Sequence, residues 1–256
     1  MKDPIIVIGL GELGSVFARG FLKTGHPVFP VTRDMDTQSV ANTYPNPKAV
    51  LVAVGEADIA NVLATCPDAW KDKLILLQNE LLPRDWQAAN IIEPTVISVW
   101  FEKKKGMDSK VVLPSPIFGA NSRLVFNALA SLDIPSFLVD SEAELTYELV
   151  RKNLYILTTN IAGLEVGGNV EGLMNEHAMV MNAVATDVLD IQDWLTNDKN
   201  DRERLMTGLI EAINGDLQHG CMGRSAPARL TRAIGFADEA GLEVTKLREI
   251  FNKYVK

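Results

Sequence analysis

Cysteine and histidine are scarce in this chain, at two and three residues in 256. Cys66 and Cys221 lie far apart and share no paired spacing, which excludes a disulfide framework. His26, His177 and His219 lack ligand spacing as well, so no metal site is expected and each histidine reads as a loop or surface residue. A cationic surplus is also missing: the formal net charge is −8, whereas a nucleic-acid partner needs a basic face. The one lysine run, Lys103-Lys104-Lys105 ahead of Gly106, reads as a solvated hairpin turn. No window approaches the roughly eighteen uninterrupted apolar residues of a membrane span. The apolar start of the chain reads as a first strand rather than a signal peptide. These absences leave a soluble, cytoplasmic protein with neither a nucleic-acid nor a membrane partner as the expectation. Its length exceeds what one small nucleotide-binding unit needs, so two lobes are expected.

What the chain does have is concentrated at its start. An apolar run, Pro4-Ile5-Ile6-Val7-Ile8, leads directly into Gly9-Leu10-Gly11-Glu12-Leu13-Gly14 and then an amphipathic segment with Leu13, Val16, Phe17 and Phe21 on one side. A strand, a glycine turn and a helix in that order aim several backbone N–H groups and the positive end of a helix dipole at one point, which suits a pyrophosphate. Gly9 makes the turn, Gly11 admits the phosphates, and Gly14 lets the helix pack on the strand. A bare glycine triplet is a weak signal, and a turn that binds nothing is the plain alternative; the flanking strand and helix strengthen the dinucleotide reading. The next strand, Val28 to Val31, ends in Thr32-Arg33-Asp34. Arg33 and Thr32 suit a ribose 2′-phosphate and so NADP(H). Asp34 as a ribose ligand, with Arg33 in solvent, would reverse that preference toward NAD.

Further along, continuous apolar runs at Ala49–Val54, Leu74–Leu77 and Thr95–Val99 alternate with helical stretches, the pattern of a parallel sheet covered on both faces. Ligands of such sheets bind at the carboxyl ends of the strands, where Gly9 to Gly14, Arg33, Val54, Gly55 and Asn79 fall. Strand-like pieces at Lys110 to Leu113 and Ser136 to Val139, around a helix from Ser122 to Leu132, extend the sheet, in an antiparallel sense if they reverse direction. After Glu142 strand signals vanish and helices are expected at 142–165, 173–195, 200–214, 225–240 and 243–254. The fold class expected is α/β: an N-terminal Rossmann-type, doubly wound, mostly parallel sheet over residues 1–140, followed by an all-helical domain over 141–256. Ser141, with Glu144 three residues on, reads as the cap that opens the second domain.

The glycine loop, Arg33, Asn79 after the fourth strand, and a first C-terminal helix carrying Leu149-Val150-Arg151-Lys152-Asn153-Leu154 together resemble the ketopantoate reductases. Those enzymes reduce the 2-oxo group of a small branched acid with NADPH. The resemblance implies Lys152 as general acid, Asn79 as a residue placing nicotinamide and substrate, and Asn160 as a residue lining the substrate site. On a helix, eight residues leave Asn160 roughly 80° from Lys152 around the axis, so both can serve one cleft. A lysine suits the chemistry, because a poised ammonium stabilises the developing alkoxide and then supplies the proton, provided burial or a neighbouring cation lowers its pKa. The bland alternative is a surface lysine paired with Glu148 one turn earlier.

Three departures from the resembled pattern stand out. No cation follows the third strand, where this chain has Val54-Gly55-Glu56; Asn79 precedes Glu80 instead of glycine; and a late glutamate that holds the substrate hydroxyl aligns near Ser225. An anionic substrate would still need a cation, for which Arg224 or Arg229 are candidates, with Ser225 beside them. Glu12, inside the glycine loop, is expected to point to solvent. The leading functional expectation is an NADPH-dependent reductase of a small 2-oxo acid, monomeric or homodimeric. Two alternatives stay open: a non-catalytic NADP-binding sensor, and a related reductase of another carbonyl or an imine.

Overall fold

A computed structural model of the chain describes residues 2–77 and 79–255. Its opening strand β1 (Ile5–Ile8) is buried along its whole length, as a β-branched run covered on both faces should be. Helix α1 (Glu12–Lys23) follows, with Val16, Phe17 and Phe21 turned inward. Then come β2 (Val28–Val31), α2 (Thr37–Thr43), β3 (Ala49–Val52), α3 (Ile59–Ala64), a 3-10 turn over Asp68–Lys73, β4 (Leu74–Leu76), α4 (Pro83–Gln87) and β5 (Thr95–Ile97). Asp36 caps α2 by accepting the Ser39 N–H at 2.9 Å.

Five further elements complete this half: β6 (Phe101–Glu102), β7 (Lys110–Val111), β8 (Ser115–Phe118), α5 (Ser122–Ala130) and β9 (Ser136–Leu138). Among the described residues, one sheet runs in the order β2-β1-β3-β4-β5-β8-β9. Its first five strands are parallel, with Ile5 opposite both Val28 and Ala49, while β8 runs antiparallel to β5. The α/β, mostly parallel character expected from the sequence is therefore present. The piece expected at Lys110 to Leu113 belongs elsewhere: β7 pairs with β6 in a separate hairpin. The sheet is extended by β9, at the expected piece Ser136 to Val139, and by β8, which carries no strand signal of its own because Pro116 interrupts its apolar run.

α1 and α5 pack together over one face of the sheet, and their contact is tight. A Cβ on Gly20 would stand 2.6 Å from the Ala128 carbonyl oxygen, so only glycine lets the two backbones meet there. Phe17, Phe21, Val125 and Leu129 fill the core beneath them.

The remainder is helical: α6 (Glu142–Val166), α7 (Val170–Asn175), α8 (Ala178–Thr196), α9 (Arg202–Gly215), α10 (Ala226–Ala240) and α11 (Thr245–Tyr254). The single helix expected over 173–195 is in fact α7 and α8, separated at Glu176-His177; the Asn169 side chain caps the earlier start by accepting the Gly172 N–H at 2.9 Å. The last helix begins at Thr245 because Val244 sits in a left-handed conformation, φ 39°. The chain folds as two compact units, Met1–Leu149 and Val150–Lys256, whose boundary lies inside α6. The sequence-based boundary near Asp140 coincides with the start of that helix, where the Ser141 hydroxyl accepts the Glu144 N–H at 3.1 Å.

Candidate functional site

In the first unit, strand order turns about β1, so the crevice such sheets use for ligands lies at the carboxyl ends of β1 and β3. Gly9 leaves β1 with φ +89°, and a Cβ there would stand 2.6 Å from the Ala53 carbonyl oxygen. Gly14 is tighter still: its Cβ would stand 2.1 Å from the Gly9 carbonyl oxygen, so α1 rests directly on the turn. Gly11 differs, with nothing within 4 Å of where a Cβ would point. The loop thus has one open side, at the residue that opens α1, toward which the first amides of the helix are directed. Pyrophosphate fits this cradle, and Glu12, Leu13 and Gly14 would contribute the amides. Leu10 lies exposed on the loop, and Val54 flanks it, its Cγ1 3.2 Å from the Gly9 Cβ direction.

Glu12 does not simply face solvent. Its carboxylate lies 3.6 Å from Lys103 Nζ, brought there by the β6–β7 hairpin, so part of the lysine run screens an acid beside the glycine turn. Arg33 stands at the end of β2 with its side chain 93% exposed, 3.7 Å from Asp58. An exposed pair of that kind holds the guanidinium weakly. Thr32 and Asp34 are exposed on either side of it, and Gly55 is exposed beyond β3. The two departures near Asn79 meet in space: the Asn79 amide donates to Glu56 Oε1 at 3.4 Å. Glu80 adopts φ +65°, the left-handed conformation that glycine normally supplies, so the turn keeps its path at some conformational cost. A separate cavity of about 430 Å³, lined by Trp86, Phe118, Ile92 and Leu145 among others, has none of the expected site residues in its wall.

In the second unit, three of the sequence-predicted polar residues gather around α6. Asn160 donates through Nδ2 to the Cys221 carbonyl at 3.2 Å and accepts at Oδ1 from Arg229 Nη1 at 2.9 Å. Burial and the adjacent Arg229 charge lower the Lys152 ammonium from its ordinary value to about 7. The Lys152 Nζ also lies 5.9 Å from the centre of the Tyr155 ring, whose hydroxyl is 2.8 Å from His219 Nδ1.

The local fold explains why these groups meet. Gly163 on α6 admits the Cys221-Met222 segment, since a Cβ there would stand 2.8 Å from Cys221 Cβ. Two backbone bonds strap that segment down: the Cys221 N–H donates to Gly168 and the Val170 N–H to His219. α10 then starts after Ser225 and carries Arg229 inward one turn later, 9% exposed. Arg224 stays exposed on the preceding turn, so of the two arginine candidates the fold brings Arg229, not Arg224, to Lys152 and Asn160. A signal for Arg229 lay in the sequence: it shares the buried stripe of Ala226, Leu230, Ala233, Ile234 and Ala237, where a charge is costly unless it is used. Tyr155 and His219 carried no such signal. Both cysteines are buried, and burial pushes each thiol up to about 11, so neither is a nucleophile near neutrality.

Three solved structures can be set beside this geometry. A ketopantoate reductase from Ralstonia eutropha JMP134 superposes with a TM-score of 0.68 at 13% identity, over 98% of this chain and 97% of that one. A dimeric ketopantoate reductase from Staphylococcus aureus gives 0.68 at 16% identity, with 98% and 97% covered. The chain has the ketopantoate reductase fold. A D-mandelate dehydrogenase in complex with NADH shares it too, at a TM-score of 0.67 and 10% identity over 99% and 97% of the two chains. No family model and no curated protein of similar sequence matches the chain. The divergence is therefore large while the ketopantoate reductase-like architecture, a Rossmann-type sheet followed by a helical domain, is retained from end to end.

Proposed function

We propose that this chain is an NADPH-dependent reductase of a small 2-oxo acid, with Lys152 as the proton donor. The observation that carries the reading is Lys152 itself: a half-buried lysine close to an arginine, on the helix that opens the second unit, with its pKa drawn down to about 7. Such a group loses its proton readily near neutral pH, which a surface lysine does not. The cradle at Gly9 to Gly14 would hold the pyrophosphate, Thr32 and Arg33 the 2′-phosphate, and Val54, Gly55 and Asn79 the nicotinamide end. When bound, the reduced dinucleotide supplies a hydride. Lys152 stabilises the charge that grows on the substrate oxygen and then protonates it, while Asn160 and Arg229 hold the substrate end of the site.

The test is NADPH oxidation against a panel of 2-oxo acids over a range of pH. Reduction needs the charged form of Lys152, so kcat/KM should be level in mild acid and fall as pH rises through about 7. Oxidation of the corresponding 2-hydroxy acid needs the neutral amine and should rise over the same interval. No turnover with any oxo acid at any pH would reject the reading.

Cofactor choice has its own check. Arg33→Asp should weaken NADPH binding by about 10–100-fold through loss of a charge-assisted phosphate contact, and leave NADH within a few-fold. Titration followed by tryptophan fluorescence measures both. Equal weakening of the two coenzymes would remove Arg33 from the 2′-phosphate role.

A second reading has a specific observation in its favour. Glu56 stands where the resembled enzymes place a cation, and it engages Asn79. A protein that binds NADPH tightly but turns over no carbonyl or imine would match that loss, and any measurable turnover would exclude it.

A further inference from the structure

We infer that Arg229 binds the carboxylate of the substrate, and that Asn160 is the residue that positions Arg229 rather than the one that touches the substrate first. This inference rests on the reductase reading of the same site and narrows it to plain 2-oxo carboxylates. The geometry of Asn160 is the starting point. Both ends of its amide are engaged within the second unit, Nδ2 by the Cys221 carbonyl and Oδ1 by Arg229 Nη1. An amide held from both sides fixes the guanidinium on the residue it accepts from. The Cys221 carbonyl that anchors it is itself held by the close approach that Gly163 permits.

Arg229 is the better carboxylate ligand on chemical grounds. Its planar fork offers five donors and matches a carboxylate in two-point fashion. It is 9% exposed, and a desolvated cation binds an anion more strongly than an exposed one does. Ser225, one turn earlier, carries a neutral hydroxyl where the resembled enzymes place an acid that holds a substrate hydroxyl, so this position adds no negative charge beside a bound carboxylate.

A consequence follows for the proton donor. Two groups act on Lys152: the Tyr155 ring on α6, 5.9 Å from its Nζ, and the Arg229 guanidinium on α10. Of these, Arg229 is the one whose charge lowers the affinity of Lys152 for its proton. A carboxylate bound at Arg229 offsets that repulsion, so an anionic substrate charges its own proton donor and a neutral one does not. The balance of the reaction is simple: the carbonyl carbon gains the hydride of the reduced dinucleotide, the oxygen gains the Lys152 proton, and the neutral amine is recharged from water. The carboxylate is unchanged throughout.

The experiment uses the full chain and two probes. Oxalate, which presents a 2-oxo acid's oxygens in fixed geometry, is titrated calorimetrically; 2-oxobutanoate and its methyl ester are compared as substrates across pH. The oxalate Kd should rise about 10–100-fold in Arg229→Gln, with partial recovery in Arg229→Lys, as expected for a lost charge-assisted contact. For the acid, the alkaline limb of kcat should lie at higher pH than that of kcat/KM, because kcat reports the complex and kcat/KM the free protein. For the ester the two limbs should coincide. In Arg229→Gln the kcat/KM limb should move to higher pH, since the repulsion is gone. Should Arg229→Gln fail to bind NADPH or to fold, Arg229→Lys and Asn160→Ala carry the comparison, each with weakened oxalate binding. Oxalate affinity indifferent to these changes, alongside intact NADPH oxidation, overturns the assignment. Arg229-dependent oxalate binding with no oxidation of NADPH by any oxo acid overturns the reductase reading instead and leaves the carboxylate site standing.

Discussion

Lys152→Ala is expected to lower turnover of a 2-oxo acid by about 10²–10⁴-fold, the usual worth of a positioned general acid, and to leave NADPH affinity within a few-fold. The split between the two readouts is what makes the result informative. Lys152 belongs to the second compact unit and the phosphate cradle to the first, so removing an amine from α6 should not disturb the amides at the start of α1. The pH profile supplies a second arm. With the donor gone, the limb near pH 7 should vanish, because the residue that titrates there has been removed. Lys152→Arg offers a further contrast: it keeps the positive charge but cannot release a proton near neutral pH. Activity should stay low in that variant if proton transfer is the role, and return if charge alone suffices. Retention of parental turnover in Lys152→Ala would exclude Lys152 from the chemistry.

The reasons that some features could be read from sequence and others could not are physical. The glycine turn was legible because each glycine answers a local demand: a positive φ at Gly9, backbone contact at Gly14, and open space at Gly11. The parallel strands were legible because strands covered on both faces must be apolar throughout. β8 was not, since Pro116 breaks the pattern and the strand's place is set by its neighbours β5 and β9 rather than by its own residues. The break between α7 and α8 escaped for a similar reason: it is made by backbone bonds, the Glu176 and His177 N–H groups both donating to the Gly172 carbonyl, and not by a residue that marks it in the sequence. In the site, Lys152 and Asn160 came from the resemblance, with which helical spacing agrees, whereas the choice of Arg229 over Arg224 depends on where α10 begins. The Glu12–Lys103 pair could not be read at all, since it joins two turns ninety-one positions apart that only the hairpin brings together.

The glycine loop yields the other large effect, through a pair of substitutions that separate folding from binding. Gly14→Ala places a methyl carbon where the Gly9 carbonyl oxygen stands 2.1 Å away, and that obstacle is backbone rather than a side chain that can swing aside. Either α1 lifts from β1 or the Gly9 turn opens. Overpacking of this kind costs about 1–3 kcal/mol and sometimes more, and the displaced helix carries the amides of the cradle with it. Gly14→Ala should therefore lower the melting temperature by several degrees and weaken NADPH by at least about 100-fold, the penalty of misplacing several charge-assisted contacts at once. Gly11→Ala is the counterpart. Its methyl group meets no protein atom within 4 Å and its backbone is extended, so stability should change by no more than about 1 kcal/mol, the range of an N-cap exchange. The same methyl group points into the space a pyrophosphate would use, so NADPH binding should fall about as far as in Gly14→Ala. Calorimetric melting and NADPH titration of the two variants measure this directly. A Gly11→Ala protein that both melts and binds NADPH like the parent would mean that the coenzyme does not rest on this turn, and the reductase reading would fall with it.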